Sequence, residues 1–176
     1  AERGRLIHAL FERLPPIAAD ARAAAADRWL AGPGGLADAA MRRSIVGTVL
    51  DVIDDPRFAD LFGAESLAEA PIAAVVADGL VVAGTIDRLL VTPEVVRLID
   101  FKTGRRAPAS LAEIPAYHLR QMAAYAAALR VIFPDRRVEA ALLYTAAPVL
   151  FELPGDLLVA HKPGLPAAQQ RLIADG

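Results

Sequence analysis

Apolar side chains recur at helical spacing through the first third of the chain and then change to strand spacing. Leu6, Ile7, Leu10 and Phe11 fall on one helical face within residues 4–13, and Pro15-Pro16 stop that segment. Ala18 to Leu30 predicts a second helix, closed by the Gly/Pro-rich stretch from Gly32 to Gly35, and Ala37 to Val52 a third, ending at Asp54-Asp55-Pro56. After Phe62-Gly63 the texture changes. Pro71 to Val76, Leu80 to Val91 and Val95 to Phe101 are short, β-branched runs separated by Asp78-Gly79 and Thr92-Pro93-Glu94, so they predict three antiparallel strands. Arg105 to Pro115 reads as a loop and Tyr117 to Val131 as a helix. Val138 to Thr145 and Val149 to Leu153 read as two further strands, with Pro154-Gly155 breaking the run, and Pro166 to Ala174 as a short terminal helix. Helices first, then a three-strand meander, then helix and strand, predict an α/β fold: a mixed central sheet flanked by helices behind a helical N-terminal segment.

Composition narrows the classes of function. The chain has 176 residues, fitting one compact domain, and its 55% hydrophobic content includes 38 alanines, so the large side chains available for a core are ordinary in number. No uncharged apolar run approaches the ~18 residues needed to cross a bilayer. Without cysteine there is no disulfide, thiolate zinc site, cysteine-ligated iron–sulfur cluster or thiol nucleophile, so any metal must be held by oxygen or imidazole. The net charge of -2 gives no bulk signal for nucleic acid, yet all the basic residues but Lys102 and Lys162 are Arg, several paired, as at Arg105-Arg106. No Gly-x-x-x-x-Gly-Lys-Ser/Thr phosphate loop occurs. The opening Ala-Glu-Arg-Gly lacks both an initiator Met and an apolar leader, which reads as a piece of a longer chain.

The candidate chemistry sits on two strands. Alternation along residues 95–102 puts Asp100 and Lys102 on one face, and a hairpin about Thr92-Pro93-Glu94 brings Gly84-Thr85-Ile86-Asp87 back beside them. Two carboxylates and an ammonium then share a surface. Two close acids repel unless a cation neutralises them, so the arrangement points to a hard divalent metal held by oxygen, with Lys102 acting on a water or on a phosphate. Gln121 and Tyr125, four apart on a helix, share a face.

These stretches resemble a known family. Gly84 to Leu89, then Ile99-Asp100-Phe101-Lys102-Thr103-Gly104, then Gln121-Met122-Ala123-Ala124-Tyr125 are similar to the successive motifs of the RecB-type branch of the PD-(D/E)XK nucleases, above all the C-terminal nuclease domain of the AddA helicase–nuclease subunits. Gly4 to His8 resembles that family's N-terminal motif, Ala68-Glu69-Ala70-Pro71-Ile72 its acidic residue before the first strand, and Ala140 to Pro154 its end. The resemblance implies a restriction-endonuclease-like core, with residues 1–60 as a helical part, 64–155 as the catalytic core and 156–176 as a tail, all within one nuclease domain. It implies His8, Asp87, Asp100 and the Phe101 carbonyl as ligands of Mg2+ or Mn2+, Lys102 as the catalytic lysine, Glu69 in the active site, and Gln121 and Tyr125 beside it, on DNA or bracing the lysine. It further implies a bacterial cytoplasmic, nucleoid-associated exodeoxyribonuclease of double-strand-break repair. Its partners are single-stranded DNA, the helicase part of its own chain and an AddB-like subunit, with no membrane involved. Two alternatives stand beside this reading. A catalytically silent scaffold would have no reason to keep His8, Asp87, Asp100 and Lys102, and a freestanding iron–sulfur exonuclease would need cysteines.

Overall fold

The computed structural model describes residues 1–162, so the predicted helix at Pro166 to Ala174 lies outside the described residues. Contacts divide the chain into two compact units. One comprises Ala1–Ala64, Phe101–Ala107 and Tyr144–Val149, and the other Glu65–Asp100, Pro108–Leu143 and the chain from Leu150 onward.

The first unit is helical. Helices α1 (Glu2–Arg13), α2 (Ala19–Ala31) and α3 (Ala39–Ile53) are followed by a 3-10 segment, Pro56–Phe62. Helix α1 buries Leu6, Ile7, Leu10 and Phe11, the face read from the sequence, at roughly 1.5–3 kcal/mol for each large apolar side chain removed from water. Asp38 starts α3 by accepting the Ala40 and Met41 N–H groups at 2.8 and 3.1 Å, which satisfies two of the donors a helix start leaves open. The 3-10 segment was not anticipated. Pro56 fixes its first turn and Asp55 caps it by accepting the Arg57 N–H at 2.9 Å.

The second unit carries the sheet. Its strands are β1 (Ser66–Val75), β2 (Val81–Val91), β3 (Val95–Lys102), β4 (Arg137–Tyr144) and β5 (Val149–Glu152), in spatial order β1-β2-β3-β4-β5; the last residues of β3 and β4 belong to the helical unit. The first three form the antiparallel meander. Helix α4 (Ala116–Ile132) then crosses to β4, which runs parallel to β3: Arg137 N–H donates to Glu94 O at 2.9 Å and Thr145 N–H to Lys102 O at 3.0 Å, the same offset at both ends. β5 folds back, its end held by Leu153 N–H donating to Ala140 O at 2.8 Å. Helix α4 buries Ala123, Ala124, Ala126 and Ala128 together with Leu119, Met122 and Leu129, and these small side chains let it lie close against β1 and β2.

Two expectations needed correction. β1 begins at Ser66, five residues before Pro71, because Ser66 to Ala70 pairs with β2 although Ala and Glu are poor strand formers; pairing overrides propensity. Pro154-Gly155 does break β5, but it also opens a short helix, α5 (Gly155–Ala160), within the stretch read as tail. On α2, Trp29 is half-buried beneath the Arg13 guanidinium, 4.9 Å from the ring centroid.

Candidate active site

Strand register brings the acids of the second unit together. Ala68 pairs with Arg88 and Ala70 with Ile86, so Glu69 stands opposite Asp87. Arg88 pairs with Ile99 and Leu89 with Leu98, so the next step of that ladder sets Asp87 opposite Asp100. Directly opposed residues share a sheet face. Glu69, Asp87 and Asp100 therefore occupy one transverse row across β1, β2 and β3, and Lys102 is two residues further on along β3. Carboxylate oxygens of Glu69 and Asp87 lie within 4.8 Å of each other, and Asp100 is buried at 7% exposure. Like charges at opposed positions are unfavourable, so the row fits a polyvalent cation better than an ordinary surface.

Glu69 adds a second departure from a plain strand. Its φ of 48° lies in the left-handed region, which costs a non-glycine residue about 1–2 kcal/mol. Strain held within a paired strand, at the position facing Asp87, marks a backbone shaped for its side chain rather than for the ladder.

Tyr125 and Gln121 of α4 close in on the same row. A Cβ built on Gly84 would meet the Tyr125 Oη at 2.2 Å and two ring carbons at 2.8 Å, so the glycine before the first acid exists to admit this ring. The buried hydroxyl is hydrogen-bonded to the Gln121 side chain and the Thr85 backbone. Burial, aided by the charges of Asp100 and Asp87, pushes its pKa above the ordinary value, while both hydrogen bonds pull it down. Tyr125 thus senses both acids through space, and the helical spacing of four brings Gln121 onto its hydroxyl.

In the helical unit, Phe101 turns its ring into an aromatic group: Phe11 at 4.5 Å, Phe62 at 5.9 Å and the His8 imidazole at 6.1 Å edge-on. His8 is accordingly a partly buried residue of α1 rather than a solvated one. The Lys102 carbonyl is taken by Thr145, and successive strand carbonyls alternate direction, so that of Phe101 is aimed to the other edge of β3. Gly4, one helical turn before His8, lets Thr103 approach: an added Cβ would meet the Thr103 Oγ1 at 2.6 Å. Both motif glycines therefore have steric reasons that the sequence could not disclose. A glycine inside a β-branched strand, as at Gly84, was the signal available. Arg88 is buried at 4% exposure, and Thr145 is buried as well, two polar residues of this region for which the sequence suggested no role.

Fold and motifs agree with a direct comparison. Residues 1–169 match the family model of the PD-(D/E)XK nuclease superfamily, and the chain belongs to that superfamily, whose members are in general metal-dependent phosphodiester hydrolases. A search of curated proteins returns no match. Among solved structures the chain is similar to one titled "Crystal structure of SSO0001", at 18% identity and a TM-score of 0.40, over 96% of this chain and 72% of the other. Among the described residues no helix is long and apolar enough to cross a membrane.

Proposed function

We propose that this chain is a metal-dependent deoxyribonuclease domain that degrades single strands delivered by a helicase, the activity its AddA-like motifs imply. The observation that carries the reading is the transverse row Glu69, Asp87 and Asp100 with Lys102 beside it. The donor chemistry supports a cation: Glu69 and Asp87 bring carboxylate oxygens within 4.8 Å of each other and Asp100 continues their row, and the family resemblance adds the His8 imidazole and the Phe101 carbonyl as further ligands. Oxygen and imidazole suit Mg2+ or Mn2+. Bound there, a divalent ion would neutralise phosphate charge and make water more acidic.

The remaining work falls to the chain's own residues. Lys102 cannot ligate a cation, so its ammonium orients the attacking water or stabilises charge building on the phosphate. Tyr125, kept neutral at ordinary pH and held by Gln121, braces this end of the sheet and offers a hydroxyl to the DNA backbone. Glu69 contributes charge to the cation and strain to the strand. The helicase part of a longer chain and an AddB-like subunit are the partners this reading entails, and the setting is bacterial double-strand-break repair.

The test is direct. End-labelled single-stranded DNA should be shortened when Mg2+ or Mn2+ is added, and spared in excess chelator or in Ca2+, which favours more ligands and longer bonds. Full-length DNA persisting in both active metals, or cleavage in chelator, overturns the reading.

A further inference from the structure

We propose that Tyr117 and His118, at the first turn of α4, form a base-stacking platform that holds the single strand next to the row of acids; the inference rests on the nuclease reading above. Helix α4 is buried along most of its length, but its first turn emerges. Tyr117 is 60% exposed, Arg120 is exposed and Gln121 is half-buried, and from Met122 to Ala126 the helix is core. The Tyr117 ring is not loose: it meets the His118 ring edge-on, with centroids 4.2 Å apart and planes at 67°, so an aromatic surface is fixed while facing water.

Position gives this surface its meaning. Tyr117, Gln121 and Tyr125 recur every four residues and lie along one stripe of the helix, with Tyr117 about 6 Å along the axis from Gln121. Gln121 is bonded to Tyr125, whose hydroxyl feels Asp100 and Asp87. A strand with a phosphate at the acids therefore runs past the exposed ring within a short reach. Arg120 stands in the same turn, exposed, and offers a cation to the phosphates of a strand whose base lies on the ring. A ring of this kind takes any base, because every base has a π-face, and it prefers a single strand, because bases in a duplex already stack on one another.

The experiment measures anisotropy of labelled oligodeoxythymidylate on the intact 176-residue chain in excess chelator, together with KM and kcat in Mg2+. Tyr117→Ala should weaken binding by about five- to a hundredfold, the range for losing one stacked base, and the loss should appear in KM rather than kcat. Tyr117→Phe should restore it, since the ring and not the hydroxyl carries the contact. An oligonucleotide with abasic sites should bind wild type more weakly, yet bind Tyr117→Ala no worse than the intact strand does. Unchanged affinity in Tyr117→Ala, a loss in Tyr117→Phe as large as that in Tyr117→Ala, or indifference of wild type to abasic sites overturns the platform. If wild type cleaves while Tyr117→Ala keeps its KM, the platform alone fails; if wild type neither binds nor cleaves, the nuclease reading fails with it.

Discussion

Two neighbouring strand pairings in this molecule behave differently. β1 and β2 are paired from Ser66–Leu90 to Val75–Val81, whereas the β2–β3 ladder runs only from Val91–Val96 to Arg88–Ile99, short of Asp87 and Asp100. The long pairing is scaffold: its backbone groups satisfy one another, and Ala70, Ile72, Val82 and Ile86 fill the core beneath α4. The short one ends where the acids begin. Asp87 also faces Glu69 inside the long ladder, so the row of acids crosses from the interior of one pairing to the end of the other, while the apolar pairs further along β1 and β2 carry stability.

The largest test of that division removes an acid. Asp87→Ala or Asp100→Ala should lower cleavage by at least about three orders of magnitude, because each takes an oxygen from a cation the rest hold poorly. Melting temperature without metal should hold or rise, since one of two close negative charges has gone. A variant that cleaves normally, or one that unfolds, would put the acids back among the scaffold.

Lys102→Ala should cost roughly two to four orders of magnitude in single-turnover rate. Metal affinity by calorimetry should be retained or slightly tighter, because a positive charge near the cation is lost. Loss of metal binding equal to that of Asp100→Ala would erase the distinction drawn along β3.

The two packed glycines sharpen the comparison on the scaffold side. Gly84→Ala should destabilise by about 1–3 kcal/mol in denaturant melts, since a ring wedged in the core cannot step aside, and it should displace Tyr125 as well. Gly4→Ala meets only a hydroxyl that can rotate away. Its cost should be small and should disappear in a Thr103→Ala background. Equal costs at the two positions would mean that the Tyr125 ring is less fixed than its contacts indicate.

The smallest effect concerns pH. Because the Tyr125 pKa is raised above 10.0, the folded chain holds this proton more tightly than the unfolded one; that stability is fully present below 10.0 and is lost as pH rises through the higher native value. Tyr125→Phe should flatten this alkaline loss of stability. Phenolate absorbance in Asp100→Ala should titrate nearer the ordinary value, and a Tyr125 titration indifferent to Asp100 would separate the phenol from the row.

Much of this was legible beforehand. The α1 face, the meander, the Gln121 and Tyr125 spacing and the approach of Asp87 to Asp100 follow from periods of 3.6 and 2 together with one hairpin. What escaped depends on partners distant in sequence. The Ser66 to Ala70 stretch looks unlike a strand until β2 lies beside it, and its left-handed Glu69 leaves no mark in residue types. The fit of Gly84 under Tyr125 joins residues from two elements that no local pattern connects. Pro154-Gly155 carried a stop signal that served equally as a start.

The lone Trp29 has a practical consequence. It sits on α2 under Arg13, inside the helical unit, while the acids and α4 belong to the other. Its emission is thus a reporter confined to one half of the molecule, whereas far-ultraviolet dichroism averages over both. Denaturation followed by the two signals either coincides, in which case the units melt as one cooperative body, or separates into two midpoints, with the indole reading only that of the helical unit.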